Sequence, residues 1–237
     1  MISRRSFLGR LGFSLAAWAL RALNLPLAKA DDVPDPDFAA KTRSGKYRQF
    51  YINYWKPLRR IRAESWALQV DGLCEQPQTF TLDNLKTLPV KTQTSRLKCV
   101  ECWSAKAEWQ GFRISDLEKI VLPLPESAGA VFHCGDDYSE YLDRESLNNN
   151  RTLLAYSMDG VPLSDEHGFP LRVIVPFKYG YKNPKAILRM EYVSQPVSGT
   201  WSKIGPYSID GTILPGYDHP LDKGGIRRKI YGGEIFD

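Results

Sequence analysis

The chain of 237 residues lacks a long apolar run, a haem-attachment motif and internal repeats. The apolar stretch near its start, residues 11–20, is about ten residues long, whereas a membrane-spanning helix needs about 20. Arg21 ends this stretch, which excludes a transmembrane anchor for the mature protein. No Cys-x-x-Cys-His sequence is present, so covalently attached c-type haem is not expected. Composition is that of an ordinary globular protein.

Outside the first thirty residues, the chain has no net charge. The full chain has 32 Lys and Arg against 27 Asp and Glu, and residues 1–30 contain five of the basic residues and none of the acidic ones. The remainder therefore has 27 basic residues against 27 acidic ones. Nothing in this balance supports binding to nucleic acid, and no nucleic-acid partner is expected.

Residues 1–30 have the order of a secretory signal. A basic segment precedes the apolar stretch, and Ala-Lys-Ala at 28–30 gives an A-x-A cleavage site. The sequence SRRSFL at 3–8 resembles the twin-arginine export motif, which implies folding around a cofactor before export. We therefore expect a periplasmic protein with a twin-arginine signal peptide at 1–30, an extended arm at 31–46 and one domain at 47–237.

Short alternating runs predict strands, and helical segments are few. The candidate strands are residues 66–70, 130–134, 153–158, 171–175 and 186–193. Asp-Gly pairs at 71–72 and 159–160 are turn signals. Ser115 is a candidate cap for a short helix over 116–121, and residues 82–88 predict another. With sixteen prolines, this pattern predicts an α+β domain of mixed β-sheets with short helices.

The few cysteines leave several chemistries open. They are Cys74, Cys99, Cys102 and Cys134. An even count in an oxidising compartment favours disulfides. A zinc site needs two close pairs, and only Cys99 and Cys102 are close. A dithiol redox site usually has its tryptophan before the first cysteine, whereas Trp103 follows the second. The remaining alternative is one thiolate holding a redox-active metal, and Arg96 and Lys98 would stabilise Cys99 in that form.

Three separated motifs give the sequence a family resemblance. The stretch RLKCVECWS at 96–104 resembles the R-x-x-C-V-E-x-W-S stretch of the sulfite-oxidase-type molybdopterin proteins. It is especially similar to the catalytic subunits of periplasmic methionine sulfoxide reductases. Residues 153–163 (LLAYSMDGVPL), 166–176 (EHGFPLRVIVP) and 178–182 (KYGYK) follow in the family's order. The resemblance extends over about residues 47–193 and implies a sulfite-oxidase-like molybdopterin-binding fold.

Site residues follow from this resemblance position by position. Cys99 would be the catalytic residue and the protein ligand to molybdenum. The positions at which the family contacts the pterin or its phosphate are Asn53, Trp55, Cys134, His167, Arg172, Asn183, Pro184 and Lys185. Cys134 stands where the family usually has threonine. Cys102 also departs from the family, and we expect a packed or disulfide-bonded thiol there rather than a second ligand.

A cluster of positive charge supports this interpretation. Residues 172–189 contain five basic residues and no acidic ones, and charge-assisted contacts of this kind suit a buried phosphate. Two alternatives stay open from the residues alone. The cluster could be a solvated face, and Arg172 could pair with a carboxylate.

The resemblance implies a molybdenum-dependent oxidoreductase with plain molybdopterin and no added nucleotide. We expect two-electron oxygen-atom transfer that reduces S-oxides or N-oxides, whether small or protein-bound. Electrons would come from a separate haem-containing protein, and the chain would be a monomer. Three alternatives remain: oxidation of the sulfite dehydrogenase type, a non-catalytic cofactor-binding or electron-transfer protein, and a dithiol oxidoreductase using Cys99 and Cys102.

Overall fold

A computed structural model of the protein describes residues 45–47, 50–100 and 103–213, with the backbone alone at 45–47. The expected signal peptide and most of the expected arm lie outside these ranges, so they stay predictions. Cys102 also lies outside the described residues. Within the described ranges, no helix combines the length and the apolar character needed to cross a membrane.

The described residues form short strands and shorter helices. The strands are β1 (Gly45–Tyr47), β2 (Phe50–Ile52), β3 (Ala67–Gly72), β4 (Gln78–Thr81), β5 (Lys91–Lys98), β6 (Ser104–Phe112), β7 (Gly129–Cys134), β8 (Ser139–Asp143), β9 (Leu153–Met158), β10 (Val161–Pro162), β11 (Arg172–Ile174) and β12 (Ile187–Val193). The helices are α1 (Leu82–Lys86), α2 (Ile114–Val121), α3 (Arg144–Asn148), α4 (Thr200–Ile204) and a 3-10 helix at Gly180–Lys182. This composition confirms the predicted fold class of mixed sheets with short helices.

Two five-stranded sheets organise the molecule. The first has the order β4-β3-β12-β7-β8, in which β12 runs parallel to β3 and the other pairs are antiparallel. The second has the order β10-β9-β6-β5, with β11 also paired to β9. Strands β1 and β2 form a separate antiparallel pair. Parallel strands need a long connection, and the connection from β3 to β12 contains all five strands of the second sheet.

Two hydrophobic clusters hold these sheets together. The larger one contains Phe132 of β7 and the buried face of α2, which recurs at Ile114, Leu117 and Val121 as expected for an amphipathic helix. The smaller one surrounds Trp109 of β6, which is fully buried. Burial of each large apolar side chain contributes about 1.5–3 kcal/mol. The clusters fix the sheet edges from which the loops of the site extend.

The turn signals had different outcomes. Asp159 and Gly160 have φ of 51° and 78° and form the tight turn between β9 and β10, as Asp-Gly pairs do in hairpins. The turn predicted at 71–72 is wrong, because β3 continues to Gly72, where it pairs with Tyr192 of β12. A Cβ atom at Gly72 would lie 2.2 Å from the Tyr192 carbonyl oxygen, so only glycine allows this approach.

The predicted helix start is also wrong by two residues. Helix α2 begins at Ile114, its N-cap is Arg113, and no side chain caps it. Ser115 therefore lies within the first turn of the helix. The buried residues of α2 decide where it begins, and packing of this kind commonly outweighs a local capping preference.

Candidate active site

A cavity of about 160 Å³ opens beside the end of β5. One ordered water needs about 10–15 Å³, so the cavity has room for a larger ligand. Its walls are Phe50, Tyr51, Ile52, Asn53, Tyr54, Trp55, Leu97, Cys99, Val100, Trp103, Asp136, Tyr138, Glu166, His167, Arg172, Gly180, Tyr181, Asn183, Pro184, Lys185, Trp201 and Tyr207. All the site residues predicted from the sequence are among them except Cys134.

Cys99 lies in the turn of the hairpin between β5 and β6. The two strands pair up to Lys98 opposite Ser104, and the Cys99 backbone N–H donates to the Trp103 carbonyl oxygen at 2.9 Å. The Cys99 side chain is half-buried in the cavity wall. Gly180 packs against it: a Cβ atom at Gly180 would lie 3.9 Å from the Cys99 Cβ. The hairpin thus fixes the thiol at the cavity wall.

Two cations form what we call the cationic end of the cavity, the buried Arg172 and the half-buried Lys185. The Arg172 Nη1 donates to the His167 carbonyl oxygen at 2.9 Å, and its guanidinium lies 4.9 Å from the centre of the Trp109 ring. The Lys185 Nζ donates to the Glu166 carbonyl oxygen at 3.0 Å. Among the described residues, no carboxylate forms an ion pair with either cation, so the alternative of an Arg172–carboxylate pair is not supported.

Burial acts on the protonation of both cations. It lowers the pKa of Arg172 to about 10. Burial, followed by repulsion from Arg172, lowers the pKa of Lys185 to about 7. Desolvation disfavours the charged form of a buried base unless an anion compensates it. The cationic end is therefore a receptor that a bound anion would stabilise.

Unused hydrogen-bond donors point into the same cavity. Arg172 Nε and Trp103 Nε1 are buried and have no hydrogen-bond partner within the described part of the chain. A buried donor without a partner costs about 1–3 kcal/mol, and both residues line the cavity. A polar ligand with acceptor atoms would satisfy these donors.

Asn183 shapes the loop after β11, and Gly168 shapes the segment before it. The Asn183 Oδ1 accepts from the Val175 backbone N–H at 2.6 Å, and its Nδ2 donates to the Tyr179 carbonyl oxygen at 3.1 Å. This amide group is thus used within the loop, and Asn183 shapes the wall. Gly168 has φ of +99°, and a Cβ atom there would lie 2.4 Å from the Lys185 Cβ. Its lack of a side chain lets Lys185 reach the cavity.

Cys134 lies behind the cavity wall at the end of β7. The Lys185 backbone N–H donates to its sulfur, and burial raises the pKa of Cys134 well above its usual range. It therefore remains a thiol that contacts Lys185 from behind. Cys74 is likewise a buried thiol without a disulfide, so the disulfide alternative is wrong for these two cysteines.

The opposite wall is aromatic, and we call it the aromatic end: Trp55, Tyr181, Trp201 and Tyr207. Ring centroids are 5.7 Å apart for Trp55 and Trp201, and 5.4 Å apart both for Trp201 and Tyr207 and for Tyr181 and Tyr207. Cys99 packs against the same cluster. Offset and edge-to-face contacts at these distances are favourable. The half-buried thiol therefore adjoins an apolar surface.

Buried lysines hold the aromatic end in place. The Lys182 Nζ donates to Glu140 Oε1 and to the Ile209 carbonyl oxygen, each at 2.6 Å, and both charged side chains are buried. The Lys178 Nζ donates to Asp210 Oδ1 at 2.9 Å. These contacts attach residues 208–212 to β8 and to the 3-10 helix. They also divide the predicted basic cluster, because only Arg172 and Lys185 of its members line the cavity.

Several cavity residues were missed at the sequence level. They are Tyr54, Asp136, Tyr138, Glu166, Trp201 and Tyr207. The only available signal for Trp201 and Tyr207 is an aromatic-rich stretch among glycines and prolines, and such a composition does not indicate a cavity wall. Tyr54 lies between the predicted contacts Asn53 and Trp55, and the Lys185 Nζ lies 4.0 Å from its ring centre.

A metal at Cys99 would need ligands from outside the protein. Within the described ranges, no group of three or more His, Cys, Asp or Glu side chains could hold a metal ion. A single thiolate is a poor site for zinc, which takes three or four protein ligands. It is sufficient where a cofactor supplies the other ligands. The cavity, with one thiol, two cations that form no ion pair among the described residues, and unused donors, fits a metal cofactor that ends in an anion.

Comparison with known proteins gives matches over most of the chain. The model of a family described as the oxidoreductase molybdopterin binding domain matches residues 55–201. The protein-methionine-sulfoxide reductase catalytic subunit MsrP of Ralstonia nicotianae is 29% identical over 256 residues, covering 94% of this chain and 77% of that protein. The same subunit of Burkholderia mallei is 30% identical over 250 residues, covering 94% and 76%.

A solved structure gives a match in fold. The sulfane dehydrogenase SoxCD of Paracoccus pantotrophus superimposes with a TM-score of 0.58 at 18% sequence identity. The match covers 86% of this chain and 62% of that one. At this identity the likeness concerns the fold alone.

Proposed function

Since the chain belongs to the family of oxidoreductases with a molybdopterin-binding domain, we propose that it reduces sulfoxides. It is a molybdenum-dependent enzyme of sulfite-oxidase-like fold, and its cofactor is molybdopterin. The proposed reaction takes a sulfoxide, two electrons and two protons to a sulfide and water. A separate haem-containing protein would supply the electrons, as the family resemblance implies.

The cavity residues fit the cofactor. Cys99 would supply the sulfur ligand to molybdenum, and Arg172 and Lys185 would bind the terminal phosphate. Trp103 Nε1 would donate a hydrogen bond within the same cavity. When bound, the cofactor supplies the two-electron redox chemistry, while the protein binds and orients. Charge-assisted contacts to a phosphate are among the strong ones, and here they would also remove the cost of desolvating both cations.

The charge distribution of the cavity supports a neutral substrate. Arg172 and Lys185 are the only Lys or Arg side chains of the described residues that line it, and the phosphate would engage both. Cys99 adjoins the aromatic end instead. Sulfite carries negative charge, and an anion is poorly accommodated where no positive group compensates it. A sulfoxide is neutral, so this observation favours sulfoxide reduction over oxidation of the sulfite dehydrogenase type. The relatives named as methionine sulfoxide reductases support the same choice.

Paired cysteine variants test the function. We expect the purified exported protein to contain molybdenum and to reduce sulfoxides with a reduced viologen as donor. Cys99→Ser should lose metal and activity, whereas Cys102→Ser should keep both. Loss of activity with either change would indicate a dithiol enzyme. Oxidation of sulfite without reduction of any sulfoxide would contradict the proposal, and so would native protein without molybdenum.

The periplasmic location is part of the same proposal. The twin-arginine-like motif at residues 3–8 supports export of a protein folded around its cofactor. Replacing Arg4 and Arg5 by lysine should retain the precursor in the cytoplasm, as measured by cell fractionation. A matched control is Arg10→Lys, which changes a basic residue outside the motif. Undiminished export of the double variant would contradict this route.

A further inference from the structure

The aromatic end includes a segment that the family match does not cover. The match ends at residue 201, whereas Tyr207 lies beyond it and packs against the rings of Tyr181 and Trp201. The residues predicted to bind the cofactor all lie before this point, and Trp55 is the one among them that also belongs to the aromatic end. Tyr181, Trp201 and Tyr207 have no predicted part in cofactor binding, so their rings are available for another ligand.

Its rings form a rigid surface beside the thiol. The rings of Trp55 and Trp201 meet edge-to-face at 76°, and Trp201 and Tyr207 are tilted by 51°. The Tyr181 hydroxyl donates to the Ser208 carbonyl oxygen at 2.8 Å. Trp55 is 37% exposed, so the surface extends from Cys99 to solvent. The rings therefore offer an apolar surface to a ligand that enters the cavity on this side.

The chemistry of a sulfoxide matches such a surface. A sulfoxide has one polar atom, its oxygen, and two carbon arms on the sulfur. The oxygen is removed in the proposed reaction, so it must face the redox centre held by Cys99, and the carbon arms must rest elsewhere. Sulfur and alkyl or aryl groups make favourable contacts with aromatic rings, with sulfur about 5 Å from the ring.

We propose that Trp55, Trp201 and Tyr207 bind the carbon arms of the substrate and make the enzyme selective for sulfoxides with a large apolar arm. This inference rests on the proposed function and deepens it. Trp201 touches both other rings, so it is the central residue of the surface. Selectivity arises because a large arm covers the rings, whereas a methyl group contacts only part of one ring.

Two substrates of different size test the inference. The probes are methyl p-tolyl sulfoxide and dimethyl sulfoxide, with a reduced viologen as donor and the molybdenum-loaded enzyme. Trp201→Leu should lower kcat/KM about tenfold for the large sulfoxide, mainly through KM, and less than threefold for the small one. Trp201→Phe should recover most of the loss. Tyr156→Leu is the matched control, because Tyr156 does not line the cavity.

A binding measurement separates this inference from the proposed function. Methyl p-tolyl sulfone is a non-reducible analogue whose affinity can be measured by calorimetry. We expect Trp201→Leu to bind it about tenfold more weakly while keeping its molybdenum content and Tm. An equal fall in kcat/KM for both sulfoxides, or unchanged sulfone affinity, would overturn the inference. Wild-type enzyme that reduces no sulfoxide would overturn the proposed function, and the sulfone would still test the aromatic surface.

Discussion

Lys185 should destabilise the protein in the absence of its cofactor. Its ammonium group is enclosed in the cationic end beside Arg172, and no described carboxylate forms an ion pair with it. Its pKa is lowered from 10.5 to about 7, first by burial and then by repulsion from Arg172. We predict that Lys185→Met stabilises the apoprotein at pH 7 and weakens retention of the cofactor.

The size of this effect follows from the pKa difference. At about 1.36 kcal/mol per pH unit, the full difference corresponds to about 5 kcal/mol. The Lys185 side chain is partly exposed, and solvent screening reduces the gain to about 2–3 kcal/mol. For a protein of this size that corresponds to a rise in Tm of about 5–10 °C.

The pH dependence has a definite sign. The folded pKa of Lys185 is lower than its unfolded value, so the unfolded chain binds more protons between pH 7 and 10.5. The free energy of unfolding of the apoprotein should therefore rise with pH through this window. The penalty is fully present below pH 7 and absent above about 10.5. The advantage of Lys185→Met should shrink accordingly as pH rises.

Denaturant unfolding of the apoprotein at pH 7 and pH 10 measures both effects. Lys86→Met serves as the control, because it removes a lysine that is exposed to solvent. In the cofactor-loaded enzyme the wild type should be more stable than Lys185→Met, since the phosphate of the cofactor would compensate the Lys185 charge. The reasoning is refuted if Lys185→Met destabilises the apoprotein at pH 7, or if its advantage does not change with pH.

Three further changes probe the scaffold of the cavity. Lys182→Met leaves the Glu140 carboxylate buried without its cation, which should cost about 3–5 kcal/mol in urea unfolding; equal stability would contradict this. Asn183→Ala removes the hydrogen bonds inside the loop and should cost about 1–3 kcal/mol of stability. Metal analysis should also find less molybdenum in this variant, and an unchanged molybdenum content would show that the loop is not needed for cofactor binding. Gly168→Ala places a Cβ against Lys185 at positive φ and should cost about 1–3 kcal/mol, which a thermal melt would detect; an unchanged Tm would show that the loop adapts.

Most of the predicted site residues line one cavity because they lie in compact motifs. Cys99 lies in a hairpin turn, and Arg172 and Lys185 face each other across an isolated bridge only thirteen positions apart. Each motif thus builds one part of the wall through local structure. The strands predicted at 130–134 and 153–158 are confirmed as β7 and β9, because alternating apolar residues are a local signal.

The aromatic end could not be predicted in the same way. Trp55 and Trp201 are 5.7 Å apart in space and 146 positions apart in the chain. They meet because both segments bind next to the turn between β7 and β8: the Trp55 backbone N–H donates to Asp136 Oδ2, and Thr200 Oγ1 accepts from the Ser139 backbone N–H. Periodicity does not report such contacts, since it indicates which face of a strand is buried and leaves the neighbouring strand undetermined.

The two lysines of the stretch KNPK show what only the folded chain can distinguish. Lys182 and Lys185 are three positions apart and equally basic by sequence. Lys182 meets the buried Glu140 carboxylate, so its charge is compensated by the protein and its role is to hold the scaffold. Lys185 makes no such pair among the described residues, so an external anion would be needed to pair with its charge. A lysine that can bind an external anion is recognised here by the lack of a carboxylate paired with it. Whether such a carboxylate is present depends on a distant strand, here β8 with Glu140, and not on the sequence around the lysine.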